Sequence, residues 1–141
     1  MNNTFVLLTE ADTLTFAKQF AHTCTLPHVI YLQGPLGAGK TTFVRGFLQG
    51  LGFSGKVKSP SYTLVEPYSI NNLTVYHFDL YRIKAPEELE TLGMRDYIDN
   101  HSLLLIEWPE HGKKYLPAAD IICEFQIEAN RRILTVCNQK P

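Results

Sequence analysis

Eight consecutive residues carry the strongest chemical signal in this chain. Gly34-Pro35-Leu36-Gly37-Ala38-Gly39-Lys40-Thr41 matches the phosphate-loop pattern of a glycine, four variable residues, then Gly-Lys followed by Ser or Thr. The pattern has a physical basis. Glycines let successive backbone N–H groups turn inward as an anion-binding nest, and a helix starting near Lys40 adds the positive end of its dipole. On this reading Leu36, Gly37, Ala38 and Gly39 cradle a polyphosphate. Lys40 then places a point charge on the β- and γ-phosphates, and the Thr41 hydroxyl ligates Mg²⁺. The plainer alternative is a strand-to-helix turn with a surface lysine. A strand signal before the loop and a helix signal after it, as a phosphate-binding turn requires, argue against that alternative.

A magnesium ion held by one threonine also needs carboxylate support, and two acids end apolar runs. Asp79 follows Thr74-Val75-Tyr76-His77-Phe78, and Glu107 follows Leu103-Leu104-Leu105-Ile106. An acid at the carboxyl end of a parallel strand lies beside the phosphate crevice, so both are candidates for the metal site and for the chemistry. Which of them positions an attacking water is left open. His77 lies two residues before Asp79 and shares its sheet face; it either orients that aspartate, shapes a docking surface or packs. Trp108, the one tryptophan, follows Glu107 and either fills core or reports nucleotide binding by its fluorescence.

These residues need elements to hold them. Thr9-Glu10-Ala11-Asp12 reads as a capping box opening a helix over about 10–23, and Pro27 breaks the chain after it. A buried strand over 29–32 leads into the loop, and a helix over 41–51 leaves it, ended by Gly52 and weakened by Gly46 and Gly50. Strands over 62–68 and 73–79 join across Asn71-Asn72, a hairpin signal. A helix begins at Pro86 and ends at Gly93, with a further helical turn over 94–98. The unbroken apolar run 103–106 reads as a central parallel strand covered on both faces. Strands over 121–129 and 132–137 pair antiparallel around Asn130-Arg131. The expected architecture is a single α/β domain over 1–141: a phosphate-loop NTPase-like, mainly parallel sheet with helices on both faces and antiparallel hairpin additions.

Composition narrows the function classes. The 141 residues are 45% hydrophobic and carry a net charge of −1, which excludes global disorder and any strong field toward nucleic acid or an anionic membrane. No secretory signal or bilayer-length apolar run is visible, and Cys24, Cys123 and Cys137 form no CxxC. A cytoplasmic location with buried reduced thiols is the expectation. The five histidines show no metal-ligand spacing.

Three further stretches make the chain resemble the TsaE (YjeE) family of small bacterial phosphate-loop ATPases over most of its length. They are Ser59-Pro60-Ser61-Tyr62-Thr63-Leu64-Val65, Tyr76-His77-Phe78-Asp79-Leu80-Tyr81-Arg82, and Ile106-Glu107-Trp108-Pro109-Glu110. The resemblance implies a slow ATPase that binds ATP/ADP with Mg²⁺ and acts as a switch on the TsaB–TsaD complex. That complex places the threonylcarbamoyl group on adenosine 37 of tRNAs reading codons that begin with A; contact with tRNA would be only indirect, through the complex. Position by position, Lys40 and Thr41 match the phosphate and magnesium residues. Thr42 adds a second hydroxyl, Glu107 matches the acidic magnesium residue and Asp79 the Walker-B-like aspartate. Residues 59–63 match a nucleotide-sensing switch, and Thr9 and Arg131 approach the adenine from the two ends of the chain. Asn130 stands where glycine is expected before Arg131, and asparagine tolerates the positive φ of such a turn. Arg45, Arg82 and Arg95 are the arginines available to a transition state. The alternatives are a small-molecule kinase, which needs an acceptor pocket and lid, and a non-hydrolysing nucleotide sensor; no NKxD or DxxG motif supports a GTPase.

Overall fold

The computed structural model describes residues 2–24 and 28–139, so the break expected at Pro27 lies outside the described residues. Seven strands form one sheet: β1 (Asn2–Leu7), β2 (His28–Gln33), β3 (Val65–Ile70), β4 (Leu73–Asp79), β5 (Ser102–Glu107), β6 (Ile121–Glu128) and β7 (Arg131–Asn138). Their order is β1-β7-β6-β2-β5-β4-β3. The four central neighbours β6, β2, β5 and β4 run parallel, while β3 extends one edge and the β7–β1 pair the other in antiparallel fashion. All six residues of β5 are buried, as an unbroken apolar run at the centre of a parallel sheet demands. Pro67 is tolerated in β3 because that strand lies at the sheet edge.

Helices cover both faces. On one, α1 (Glu10–Ala21) and α2 (Lys40–Gly50) pack Ala17, Ala21, Phe43, Val44, Phe47 and Leu48 against Ile30, Leu32, Leu103, Leu105 and Phe125. On the other, α3 (Glu88–Leu92) and a 3-10 turn at Met94–Tyr97 bring Leu89 and Met94 onto Val29, Phe78, Leu104 and Ile106. The strand period of two sorts these sets: His77, Asp79 and Glu107 share the α2 face with Val75, Leu103 and Leu105. Gly46, which weakens α2 in isolation, has a packing role. A Cβ there would lie 2.7 Å from the Leu14 carbonyl and 2.9 Å from Ala17 Cβ, so glycine sets how closely α1 approaches α2.

Several boundaries differ from expectation. β1 carries no strand signal in the sequence. Five of its six residues are exposed, and its only ladder is with β7, from Asn2 opposite Cys137 to Leu7 opposite Arg132. Residues 62–64 form a turn rather than the start of β3, because the Leu64 N–H bonds back to the Pro60 carbonyl at 2.9 Å. The last hairpin turns at Ala129-Asn130, one residue earlier than expected. Ala129, not Asn130, takes the positive φ of 57° there, and Arg131 becomes the first residue of β7 opposite Glu128. The helix expected over 10–23 ends at Ala21 and the one expected over 41–51 begins at Lys40.

Candidate phosphate and metal site

The loop between β2 and α2 ends at Gly39, whose φ of 101° closes the turn and which supplies no side-chain cap to α2. The first bond of that helix runs from the Phe43 N–H to the Gly39 carbonyl at 2.9 Å, so the N–H groups of Lys40, Thr41 and Thr42 precede the helical ladder. Lys40 is buried, and its ammonium donates to the Gly34 carbonyl and sits 3.7 Å from the centroid of the Trp108 ring. Arg132 at the start of β7 also holds the loop, its Nε and Nη2 donating to the Gly37 carbonyl at 3.3 and 3.2 Å.

Parallel pairing of β4 with β5 sets Asp79 directly beside Glu107. Glu107 is buried; its Oε2 accepts from the Thr41 hydroxyl at 3.2 Å and lies 2.6 Å from His77 Nε2. Asp79 Oδ1 accepts from the Tyr81 N–H at 3.0 Å, and the Asp79 N–H donates to the Leu64 carbonyl at 3.0 Å, which ties the 59–64 loop to the end of β4. Burial pushes the Asp79 carboxyl above its usual range. The Tyr81 N–H opposes that shift, neighbouring Glu107 reinforces it, and His77 and Lys40 offset it. Burial lowers the Lys40 ammonium, while Glu107, Glu110 and Asp79 pull it back up. Two adjacent acids beside a threonine hydroxyl form a donor set suited to a hard divalent cation. Among the described residues no three His, Cys, Asp or Glu side chains cluster closely enough to hold a metal unaided, so further ligands would have to come from phosphate oxygens and water.

Trp108 takes a left-handed backbone conformation, φ 57° and ψ 49°, immediately before a proline. That is an unfavourable place for a bulky residue, costing on the order of 1–3 kcal/mol, and such strain persists where the surroundings enforce it. Here the indole lies against Tyr81 and His111, with centroids 4.9 and 5.4 Å away, as well as under Lys40. Two cavities flank the loop and share Gly37, Gly39 and Thr42. The inner one, about 470 Å³, is lined by Leu36, Lys40, Thr41, Ser59, Ser61, Asp79, Arg82, Glu107 and Trp108. The outer one, about 200 Å³, is lined by Leu7, Leu8, Thr9, Thr13, Ala38, Asn130 and Arg132.

The family model described as "Threonylcarbamoyl adenosine biosynthesis protein TsaE" matches residues 7–134. The chain belongs to the TsaE family. It is 53% identical over 118 residues to the tRNA threonylcarbamoyladenosine biosynthesis protein TsaE of Haemophilus influenzae, covering 80% of this chain and 75% of that protein. The Rickettsia bellii TsaE is 35% identical over 141 residues, 99% of this chain and 97% of its own. Among solved structures, the crystal structure of Bacillus subtilis YdiB superposes with a TM-score of 0.84 at 28% identity, covering 99% of this chain and 87% of that one. The expected α/β architecture, a parallel core with antiparallel additions, is therefore the observed one.

Within this TsaE-family chain the structure brings together Leu36, Gly37, Gly39, Lys40, Thr41, Thr42, Asp79 and Glu107 around the inner cavity, with Ala38 and Thr9 on the outer one. Thr9 Oγ1 also caps α1 by accepting from the Asp12 N–H. The Arg131 guanidinium pairs with Glu128 at 2.6 Å, and the neighbouring Arg132 reaches the Gly37 carbonyl of the loop. Sequence reasoning missed Arg132. Adjacent strand residues point to opposite faces, so a shift of one residue in the hairpin turn decides which arginine faces the loop. It also left the partner of His77 open, where the structure selects Glu107. Of the three arginines considered, Arg82 lines the inner cavity, Arg45 is paired with Glu10 at 2.6 Å, and Arg95 lies by a separate cavity with Met94, Tyr115 and Leu116. No helix among the described residues is long and apolar enough to cross a membrane.

Proposed function

We propose that this chain is a magnesium-dependent ATPase serving tRNA threonylcarbamoyladenosine biosynthesis, where it acts as a nucleotide-driven switch on a TsaB–TsaD complex. One observation carries the nucleotide reading. A buried lysine begins a helix that has no side-chain cap and no acid in its first turn. A cation at the positive end of a helix dipole is electrostatically misplaced unless an anion completes the site. The match of residues 7–134 to the TsaE family supports the pathway.

The chain's residues divide the work. Backbone N–H groups of Lys40, Thr41 and Thr42 hold α- and β-phosphate oxygens, and Lys40 leaves the Gly34 carbonyl for the γ-phosphate, where its charge offsets what develops in transfer. A bound magnesium ion would supply neutralisation of the polyphosphate charge. Thr41 and Glu107 hold it directly or through water, and Asp79 orients water at the same edge. Ser59 and Ser61, whose hydroxyl oxygens lie 2.8 Å apart, face this cavity from the 59–64 loop. Because Leu64 links that loop to Asp79, occupancy of the site can be transmitted to the surface. The ATP and ADP forms then present different faces to the partner complex, which is what a switch requires.

The test is nucleotide binding and phosphate release by the wild type and Lys40→Ala, each alone and with TsaB–TsaD. Lys40→Ala removes a charge-assisted contact of about 1.5–3 kcal/mol, so affinity for a non-hydrolysable ATP analogue should fall roughly 10- to 150-fold and turnover should vanish. Wild-type hydrolysis by Lys40→Ala would refute the assignment. Stimulation by a small hydroxylated acceptor in the absence of the partner would instead favour a kinase.

A further inference from the structure

We infer that His77 is a positioning residue for the metal site: by fixing the Glu107 carboxylate it aims the Thr41 hydroxyl at magnesium. The inference deepens the proposed function and rests on it. His77 is fully buried, and its Nε2 lies 2.6 Å from Glu107 Oε2. Sequence proximity favours Asp79 as its partner. The parallel register instead pairs His77 with Leu105 and Asp79 with Glu107, and the imidazole reaches diagonally across to β5.

The ring's other nitrogen identifies the role. Nδ1 is buried without a hydrogen-bond partner among the described residues. The proton is therefore assigned to Nε2, since a proton on Nδ1 would leave a buried donor unsatisfied and turn a lone pair on the carboxylate. Packing alone does not account for an imidazole here. A leucine would fill the space without an orphaned nitrogen, so what the imidazole adds over an apolar side chain is the one bond to Glu107. That bond converges with the Thr41 hydroxyl, 3.2 Å away, on the same oxygen. A hydroxyl whose hydrogen is committed to Glu107 keeps its lone pairs free for a cation, and Thr41 lines the inner cavity. Outer partners of this kind typically govern about 10- to 100-fold of metal affinity.

Trp108 fluorescence, titrated with ADP and then with Mg²⁺, tests the role without relying on turnover. In His77→Leu, ADP affinity without metal should stay within about twofold of wild type, while the Mg²⁺ midpoint rises about 10- to 100-fold. His77→Gln, whose amide donor falls near the Nε2 position, should restore most of the difference. In a Glu107→Gln background, His77→Leu should add little, because the two act as a unit. A wild-type Mg²⁺ midpoint in folded His77→Leu, with or without a lowered Tm, would overturn the role and leave the functional reading standing. A wild type that binds ADP with no magnesium dependence would sink both. Should His77→Leu not fold, His77→Gln is compared with His77→Asn, whose shorter amide cannot reach Glu107. Equal midpoints for those two would overturn the proposal, and a higher one for asparagine would support it.

Discussion

The N-termini of α1 and α2 lie side by side on the outer cavity, and they are built in opposite ways. α1 is closed by its own side chains. Thr9 Oγ1 accepts from the Asp12 N–H at 3.1 Å, and Asp12 Oδ2 accepts from the N–H groups of Thr9 and Leu8 at 3.2 and 3.0 Å. Acids at Glu10 and Asp12 complement its dipole. α2 has a glycine in the left-handed region where α1 has a capping threonine, and a lysine where α1 has a glutamate. A helix needs its first N–H groups satisfied, so the open end leaves them available to an anion while the closed one is a structural joint. Two helices packed on each other thus separate stability from function by a few residues at one end.

Closing α2 the way α1 is closed should have the largest effect. Gly39→Asp supplies a side-chain cap and a negative charge where phosphate would sit; nucleotide binding by Trp108 fluorescence should fall below detection. Forcing the two helices apart comes next: Gly46→Ala drives a methyl into the Leu14 carbonyl and Ala17, with an expected loss of about 1–3 kcal/mol in urea unfolding. Opening α1 is milder. Asp12→Ala removes one half of the capping box and should cost about 0.5–1 kcal/mol of stability while nucleotide affinity remains within about twofold.

The smallest effect tests the acid side of the open end. Since the Asp79 pKa is raised in the folded chain, the unfolded chain loses this proton first as pH rises. Stability therefore declines with rising pH through and just above the carboxylate range. Asp79→Asn removes that dependence. Without magnesium it should gain up to about 1 kcal/mol at neutral pH and nothing below the carboxylate range, the half-exposed position limiting the size. Urea midpoints at the two pH values check it, and a loss of stability at neutral pH would contradict the burial argument.

Legibility in the sequence followed the range of the interaction. The capping box at Thr9, the glycine-rich turn before α2, the Asn71-Asn72 hairpin and the buried run of β5 were all readable, because each is fixed by residues within one turn or one strand. β1 was not, because Asn2 and Asn3 disfavour strands and only the ladder with β7 holds them extended. Gly46 read as a weakness in α2 because its benefit lies in a neighbouring helix. The contact of Arg132 with the loop was not readable, because hairpin register alternates which side chain faces inward.

By itself the sequence determined that a glycine-rich turn of the phosphate-loop pattern lies between a strand and a helix and that acids end two strands nearby. Those properties reside in local backbone preference and apolar periodicity. Tertiary structure alone decided that Asp79 and Glu107 stand side by side, that His77 serves Glu107, that Lys40 lies on Trp108 and that Arg132 holds the Gly37 carbonyl. Each of these contacts joins elements distant in the chain, and its partner follows from strand order and register, which no local pattern encodes.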